Sequence, residues 1–252
     1  MWLIMVGVYL NISTHWSTGQ VRTMFINDLS HRDLRPMINI NSKIAELIGA
    51  HVGDGTLYQT SWSIVWELRG GLNEKEYYVH IQKLLFDIFN LELYPKFRSG
   101  GANGCWGVQT SKKEVTNLFL NFDFLPKSKT HTAFVPDYIF KGSLTVKRSF
   151  VRGLFDTDGC LRFGRINKNE LHTYPRIEFG FASVKLRDTL YTLLLDLKFR
   201  VFVWNDTASF KLATVGTRML ERWINEIKPN NPKHLKKYQF WKENGFYKPK
   251  NM

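Results

Sequence analysis

Val151-Arg-Gly-Leu-Phe-Asp-Thr-Asp-Gly159 decides the reading of this chain, because a second stretch, Leu47-Ile-Gly-Ala-His-Val-Gly-Asp-Gly55, repeats its pattern. Gly153 and Thr157 lie four residues apart, as do Gly49 and Gly53. That spacing puts small residues on one face of a helix, and a face without bulky side chains lets another backbone come close. Glycine inside a helix costs about 1 kcal/mol against alanine. Two helices that both accept this cost are built to pack on each other through Gly49, Gly53, Gly153 and Thr157. Each stretch then ends in Asp-Gly, at Asp54 and Asp158. The glycine is expected as a helix terminator able to take a positive φ. The aspartate is out of place, since a helix C-terminus carries partial negative charge. Two such ends brought together would crowd two carboxylates, a conflict that a divalent cation relieves.

Outward from these stretches the repetition continues. Asp54 and Asp158 are 104 residues apart, as are Thr110 and Thr214. Leu84-Leu-Phe-Asp-Ile88 matches Leu193-Leu-Leu-Asp-Leu197 at an offset of 109, and Pro126-Lys127 matches Pro232-Lys233 at 106. Four matches in the same order indicate two copies of one unit. After each Asp-Gly the pattern switches to period two, the signature of a strand with one buried and one polar face. Trp62, Ile64, Trp66 and Leu68 are expected on one side, with Ser63, Glu67 and Arg69 on the other. In the second copy Ile177, Phe179 and Phe181 alternate with Arg176, Glu178 and Gly180. Helices are predicted near 73–89 and 184–197, the latter capped by Ser183. A second strand pair follows in each copy (93–98 with 106–110, 201–204 with 210–214), then a closing helix near 112–121 and 217–227. The fold class is therefore α+β, with two pseudo-symmetric αββαββα halves packed through the motif helices. The halves are expected at 41–125 and 146–245, joined by a linker at 126–145 within the Lys-, Thr- and Pro-rich stretch 121–149. Residues 1–40 and 246–252 are an extension and a tail outside the repeat.

The chain has 252 residues, 35 Lys and Arg against 22 Asp and Glu, and a formal charge of +13. Basic residues are spread along it, which predicts a broad electropositive surface suited to a polyanion such as nucleic acid. The two cysteines, Cys105 and Cys160, form no CxxC and fit a reducing interior better than a disulfide framework. No zinc-ligand cluster is present, and His51 and His80 lack ligand spacing, so both are expected to be structural or exposed. No apolar run nears the ~20 residues of a membrane span. Met1 to Leu10 is apolar but has no basic residues before it, so a buried strand or inert extension is expected rather than a signal peptide. The expected location is intracellular, in cytoplasm, nucleoid or an organelle. Neither a nucleophile elbow nor a P-loop is present.

The two nonapeptides resemble the paired signatures of the LAGLIDADG homing endonucleases, and the resemblance extends over roughly residues 42–245. The second copy matches strongly. The first departs at Ala50, His51 and Val52 but keeps the small residues and the terminal Asp-Gly. The resemblance implies that the two sheets form a saddle on the DNA major groove and that Asp54 and Asp158 bind metal, with Gly53 and Thr157 beside them. Mg²⁺, or another divalent cation such as Mn²⁺, is the implied cofactor. Asp156 stands where the first copy has Val52 and is not expected to be a ligand. The resemblance also implies assisting lysines. Lys127 and Lys129 are available in the first copy and Lys233, Lys236 and Lys237 in the second, and Lys129 and Lys237 are the expected catalytic pair.

The resemblance implies a site-specific double-strand DNA endonuclease. Lys and Arg would supply salt-dependent affinity for phosphates, and polar sheet faces would read base edges. Candidate DNA contacts are Ser63, Glu67, Arg69, Arg98, Gln109 and Lys127 in the first copy. In the second they are Arg162, Arg176, Glu178, Lys211 and Lys233. With both copies in one chain, a monomer suffices and the target need not be palindromic. The rival reading is a catalytically silent nucleic-acid binder of the same fold: an RNA maturase acting on intron RNA, or a DNA-binding regulator. Both acids are present, which favours cleavage. An intein is a weaker reading, because neither a splice-type first residue nor a terminal His-Asn is seen.

Overall fold

The computed structural model describes residues 40–99, 104–166, 171–206 and 209–247. The expectations for residues 1–39 and for the end of the tail, 248–252, lie outside the described residues. The first copy runs α1 (Ser42–Asp54), β1 (Gly55–Gln59), β2 (Ile64–Gly70), α2 (Lys75–Phe89), β3 (Lys96–Arg98), β4 (Cys105–Thr110) and α3 (Lys113–Asn121). A short α4 (Asp137–Lys141) precedes the second copy. That copy comprises α5 (Leu144–Asp158), β5 (Gly159–Gly164), β6 (Tyr174–Phe181), α6 (Val184–Asp196), β7 (Phe202–Asp206), β8 (Ser209–Val215) and α7 (Thr217–Glu226), and α8 (Pro232–Asn244) follows. The sheets have the same antiparallel topology, in orders β1-β2-β4-β3 and β5-β6-β8-β7. The architecture is α+β with two fourfold sheets, as the repeat predicts.

α1 and α5 form the centre. Both start at a side-chain cap: Asn41 Oδ1 accepts from the Ile44 N–H at 3.0 Å, and Ser143 Oγ from the Val146 N–H at 3.4 Å. Every α1 residue from Ile44 to Gly53 is buried, the pattern of a helix covered all round. A Cβ placed on Gly49 would lie 2.0 Å from the Phe150 carbonyl oxygen, and one on Gly153 would lie 2.0 Å from the Glu46 carbonyl oxygen. The two backbones touch where the small residues stand. Gly53 meets Thr157 Oγ1 in the same way, again at 2.0 Å from a built Cβ.

Several local expectations are corrected. Gly55 and Gly159 do not use positive φ; they are extended, at φ −73° and −78°. They are glycine for space, since a Cβ would fall 2.3 Å from His51 Nδ1 at Gly55 and 2.1 Å from Phe155 Cδ2 at Gly159. The chain passes directly from helix to strand there, over its own last turn. Trp62 and Ser63 are not on a strand: β2 begins at Ile64, and Trp62 is 94% exposed in the connecting turn. Thr60 organises that turn by accepting from the N–H groups of Trp62 and Ser63, local bonding that ends the alternating pattern. In β2 the buried face holds Trp66 and Leu68, and Val65 is buried as well. In β6, Ile177, Phe179 and Phe181 are buried as expected, and Ser183 caps α6 by accepting from the Leu186 N–H at 3.2 Å. The stretch read as a linker contains α4, and α5 starts at Leu144. α8 is an additional helix beyond the repeat, with Pro232 at its start, where a missing N–H costs nothing.

Candidate active site

Because α1 and α5 run side by side and end together, their last residues meet. The Asp54 and Asp158 carboxyl groups stand close enough for each to shift the other's titration. Burial first, and then the Asp158 charge, push the Asp54 carboxyl up to about 7. Burial also raises Asp158, against opposition from Lys129 and Lys233. Two carboxylates sharing a poorly solvated place cannot both ionise cheaply. Both line a cleft of about 880 Å³, together with Lys127, Lys129 and Lys185.

A lysine from each copy reaches this point. Lys129 Nζ donates to the Val52 carbonyl at 2.7 Å and also to the Gly53 carbonyl. Burial pushes its ammonium down, while the charges of Asp158 and Asp54 pull it up. Its counterpart is Lys233, not Lys237. Lys233 Nζ donates to the Thr157 carbonyl at 3.2 Å and pairs with Glu74 at 2.8 Å. Lys237 instead donates to the Leu161 carbonyl at 3.3 Å, further along β5. Lys236 is exposed and lies 3.5 Å from Glu76. The signal for Lys233 was in the sequence. It stands as far beyond Asp158 as Lys129 does beyond Asp54, 75 residues (233 less 158, 129 less 54).

The backbone carbonyls of Gly53 and Thr157, expected beside a metal, accept from these lysines, and Thr157 Oγ1 donates back to Gly153 at 3.0 Å. The donor set for a cation is thus the two aspartates. No group of three or more His, Cys, Asp or Glu side chains suited to a metal occurs among the described residues. Two hard oxygen ligands with open space beside them fit Mg²⁺, which keeps several waters and borrows phosphate oxygens. Glu74 adds a third negative charge, and Asp54 feels it. With Asp54 and Asp158 both ionised, three carboxylates would face two ammonium groups, an excess of one negative charge that a cation would offset.

Asp156, excluded as a ligand on sequence grounds, points away from the cleft. It is fully buried, its Oδ2 accepts from the Asn230 N–H at 2.8 Å, and burial pushes its carboxyl up to about 7. Nearby, Glu46 joins His80 at 2.7 Å, Arg152 at 2.9 Å and Asn230 at 2.7 Å. This cluster bridges the two copies and was not foreseen; no repeat match marks it. His51 is structural. It is buried, accepts from the Trp66 indole N–H at 3.3 Å and contacts the Phe119 and Phe124 rings, and burial followed by the Lys129 charge keeps it neutral.

The polar sheet faces hold most of the remaining candidates. In the first sheet Arg69 pairs with Glu67, and Arg98 lies 3.3 Å from Glu67. Gln109 accepts from both arginines at 3.3 Å and donates to the Tyr58 hydroxyl at 2.8 Å. In the second sheet Arg162 lies 3.5 Å from Glu178, Arg176 sits 5.7 Å over the Trp204 ring, and the Lys211 stem packs on Gly180. Ser63 is at the hairpin turn and Lys127 is exposed at the cleft.

No protein-family profile matches the chain. Residues of the chain are 26% identical over 116 positions to elongation factor 2 of Methanopyrus kandleri, a match spanning 46% of this chain but only 8% of that protein. Solved structures are more informative. I-DmoI in complex with DNA and Mn superposes with a TM-score of 0.52 at 18% identity, covering 74% of this chain and 96% of that one. The homing endonuclease I-WcaI bound to its DNA recognition sequence gives 0.54 at 14% identity, covering 74% and 80%. The meganuclease I-SmaMI bound to uncleavable DNA gives 0.52 at 9% identity, covering 80% and 90%. At these identities the likeness speaks for the fold, and the fold of this chain is that of the LAGLIDADG homing endonucleases.

Proposed function

We propose that the chain is a site-specific, divalent-cation-dependent endonuclease that hydrolyses both strands of a long, non-palindromic DNA target as a monomer. The observation that carries this reading is the meeting of Asp54 and Asp158 at the joined ends of two glycine-packed helices. A protein that only bound nucleic acid would gain nothing from two carboxylates set together at the edge of a cleft that receives a phosphate. The fold adds support, since I-DmoI has been solved with DNA and Mn and with DNA and Ca. Intron homing is the process such an enzyme would serve.

Asp54 and Asp158 would hold the cation, Mg²⁺ or Mn²⁺. When bound, it supplies an activated water and stabilises charge on the phosphate and leaving oxygen. The rest is done by the chain. Lys129 and Lys233 keep positive charge at the carboxylates and can transfer their hydrogen bonds from carbonyls to phosphate oxygens. Arg98, Arg162, Arg176 and Lys211 supply salt-dependent phosphate attraction. The polar groups of the two sheets, Gln109, Glu67, Arg69 and Glu178 among them, present donors and acceptors to base edges in the major groove.

The test is a cleavage-site selection on randomised duplex DNA with Mg²⁺, using wild type, Asp54→Asn and Asp158→Asn. Wild type should recover one long asymmetric site and neither variant should cut it. Equal cutting by all three would remove these acids from the mechanism. Tight, specific binding by wild type without cutting would turn the assignment to a silent binder, and the same assay on structured intron RNA would then decide between maturase and regulator.

A further inference from the structure

The two lysines at the active site are not held alike. Lys129 donates to neutral carbonyls. Lys233 is also gripped by the Glu74 carboxylate, 2.8 Å away, which itself is held by the Asn231 side-chain amide at 2.7 Å and by the Gly71 N–H. Glu74 is the residue just before α2, where a helix cap belongs, yet its side chain does not cap that helix. The same place before α6 is Ser183, at the offset of 109 that relates these helices. Ser183 caps α6 and also donates to the Ala133 carbonyl at 2.7 Å, in the segment just after Lys129. Both cap positions therefore reach across to the other copy's lysine segment. One does so with a neutral hydroxyl and the other with a charge. The Glu74 side chain is only 13% exposed, and it adds negative charge beside two carboxylates and a site that must receive a phosphate.

We propose that Glu74 is a positioning residue that tethers Lys233 and makes the two halves of the active site unequal, so that the DNA strand served by Lys233 is cut second. A phosphate approaching Lys233 must displace a carboxylate, whereas at Lys129 it displaces only carbonyls. The inference rests on the endonuclease reading for its strand order, but the tether itself does not depend on cleavage.

The experiment uses the full chain as wild type, Glu74→Gln and Glu74→Ser, the last copying the second repeat. Amine acetylation read by mass spectrometry reports the tether. Labelling of Lys233 should rise roughly fivefold in both variants, the change expected for losing about 1 kcal/mol of pairing, while Lys129 is unchanged. A duplex of the selected target, with a different fluorophore on each strand, reports the order of cutting. Wild type should accumulate a nick in one defined strand, and both variants should speed the slower cut roughly fivefold and leave the faster one alone. Unchanged Lys233 labelling overturns the tether. Increased labelling with an unchanged or slowed second cut overturns the strand order. If wild type binds but cuts neither strand, the endonuclease reading and the strand order fall together, and the labelling result still decides the tether. Thermal melts of each variant separate these outcomes from misfolding.

Discussion

Replacing Asp54 by asparagine should make the cation-free protein more stable at alkaline pH. Burial and the neighbouring Asp158 raise the Asp54 carboxyl from 3.8 to about 7. A raised carboxyl binds its proton more tightly in the fold than in the unfolded chain. Its contribution is fully present below the unfolded value and is lost as pH rises through the folded one. The wild type should therefore lose stability from about pH 4 to about pH 7, at roughly 1.4 kcal/mol per pH unit. Over the full window that amounts to about 4 kcal/mol. Asparagine keeps the shape, carries no charge, and can donate to the remaining carboxylate. Urea denaturation in EDTA at several pH values from 5 to 8 measures the effect. At pH 8 Asp54→Asn should be more stable than wild type by up to about 4 kcal/mol, and the gap should narrow as pH falls. Adding Mg²⁺ should restore wild type and leave the variant nearly unmoved. A variant no more stable than wild type at pH 8, or a gap independent of pH, would refute the idea that the site is an electrostatically strained pair awaiting a cation.

Two further outcomes are expected. Gly153→Ala puts a methyl group 2.0 Å from the Glu46 carbonyl oxygen, so the motif helices must part; a loss of about 1–3 kcal/mol in thermal or urea melts follows, and unchanged melts would mean the helices are not in backbone contact. Lys233→Met should slow cleavage of the selected target by at least tenfold while Lys237→Met changes it less than threefold, since of these two lysines Lys233 alone donates next to the acids; single-turnover rates with saturating enzyme decide this, and the reverse order would restore Lys237 to the site.

The site carries a stability cost that its surroundings answer. Asp54, Asp158 and Glu74 crowd negative charge at two helix C-termini, the least hospitable end for it. Lys129 and Lys233 answer from opposite copies, each reaching the last turn of its own copy's motif helix. The Glu46, His80, Arg152 and Asn230 cluster then ties the copies together on one side of the helix pair. On that side the two repeats differ, and there the charged groups have no repeat partner.

The duplicated α+β fold, the packing of the motif helices and the pairing of two acids were all legible along the chain. These are periodic or positional signals: small residues four apart, alternating faces, and an Asp-Gly pair recurring at one offset. Each reflects local backbone geometry, which a pattern along the chain records directly. Which lysine stands at each acid, the hold of Glu74 on one of them, and the use of Gly55 and Gly159 for space rather than positive φ all depend on how the elements pack. Lys233 and Lys237 lie one turn apart on the same basic helix, so residue type and spacing suit both equally. What separates them is where α8 crosses the end of α5, a contact between segments about 75 residues apart that depends on how the helices pack. Asp54 and Asp158, read at first as two awkward helix ends, become one site because glycine lets the two helices end at the same place.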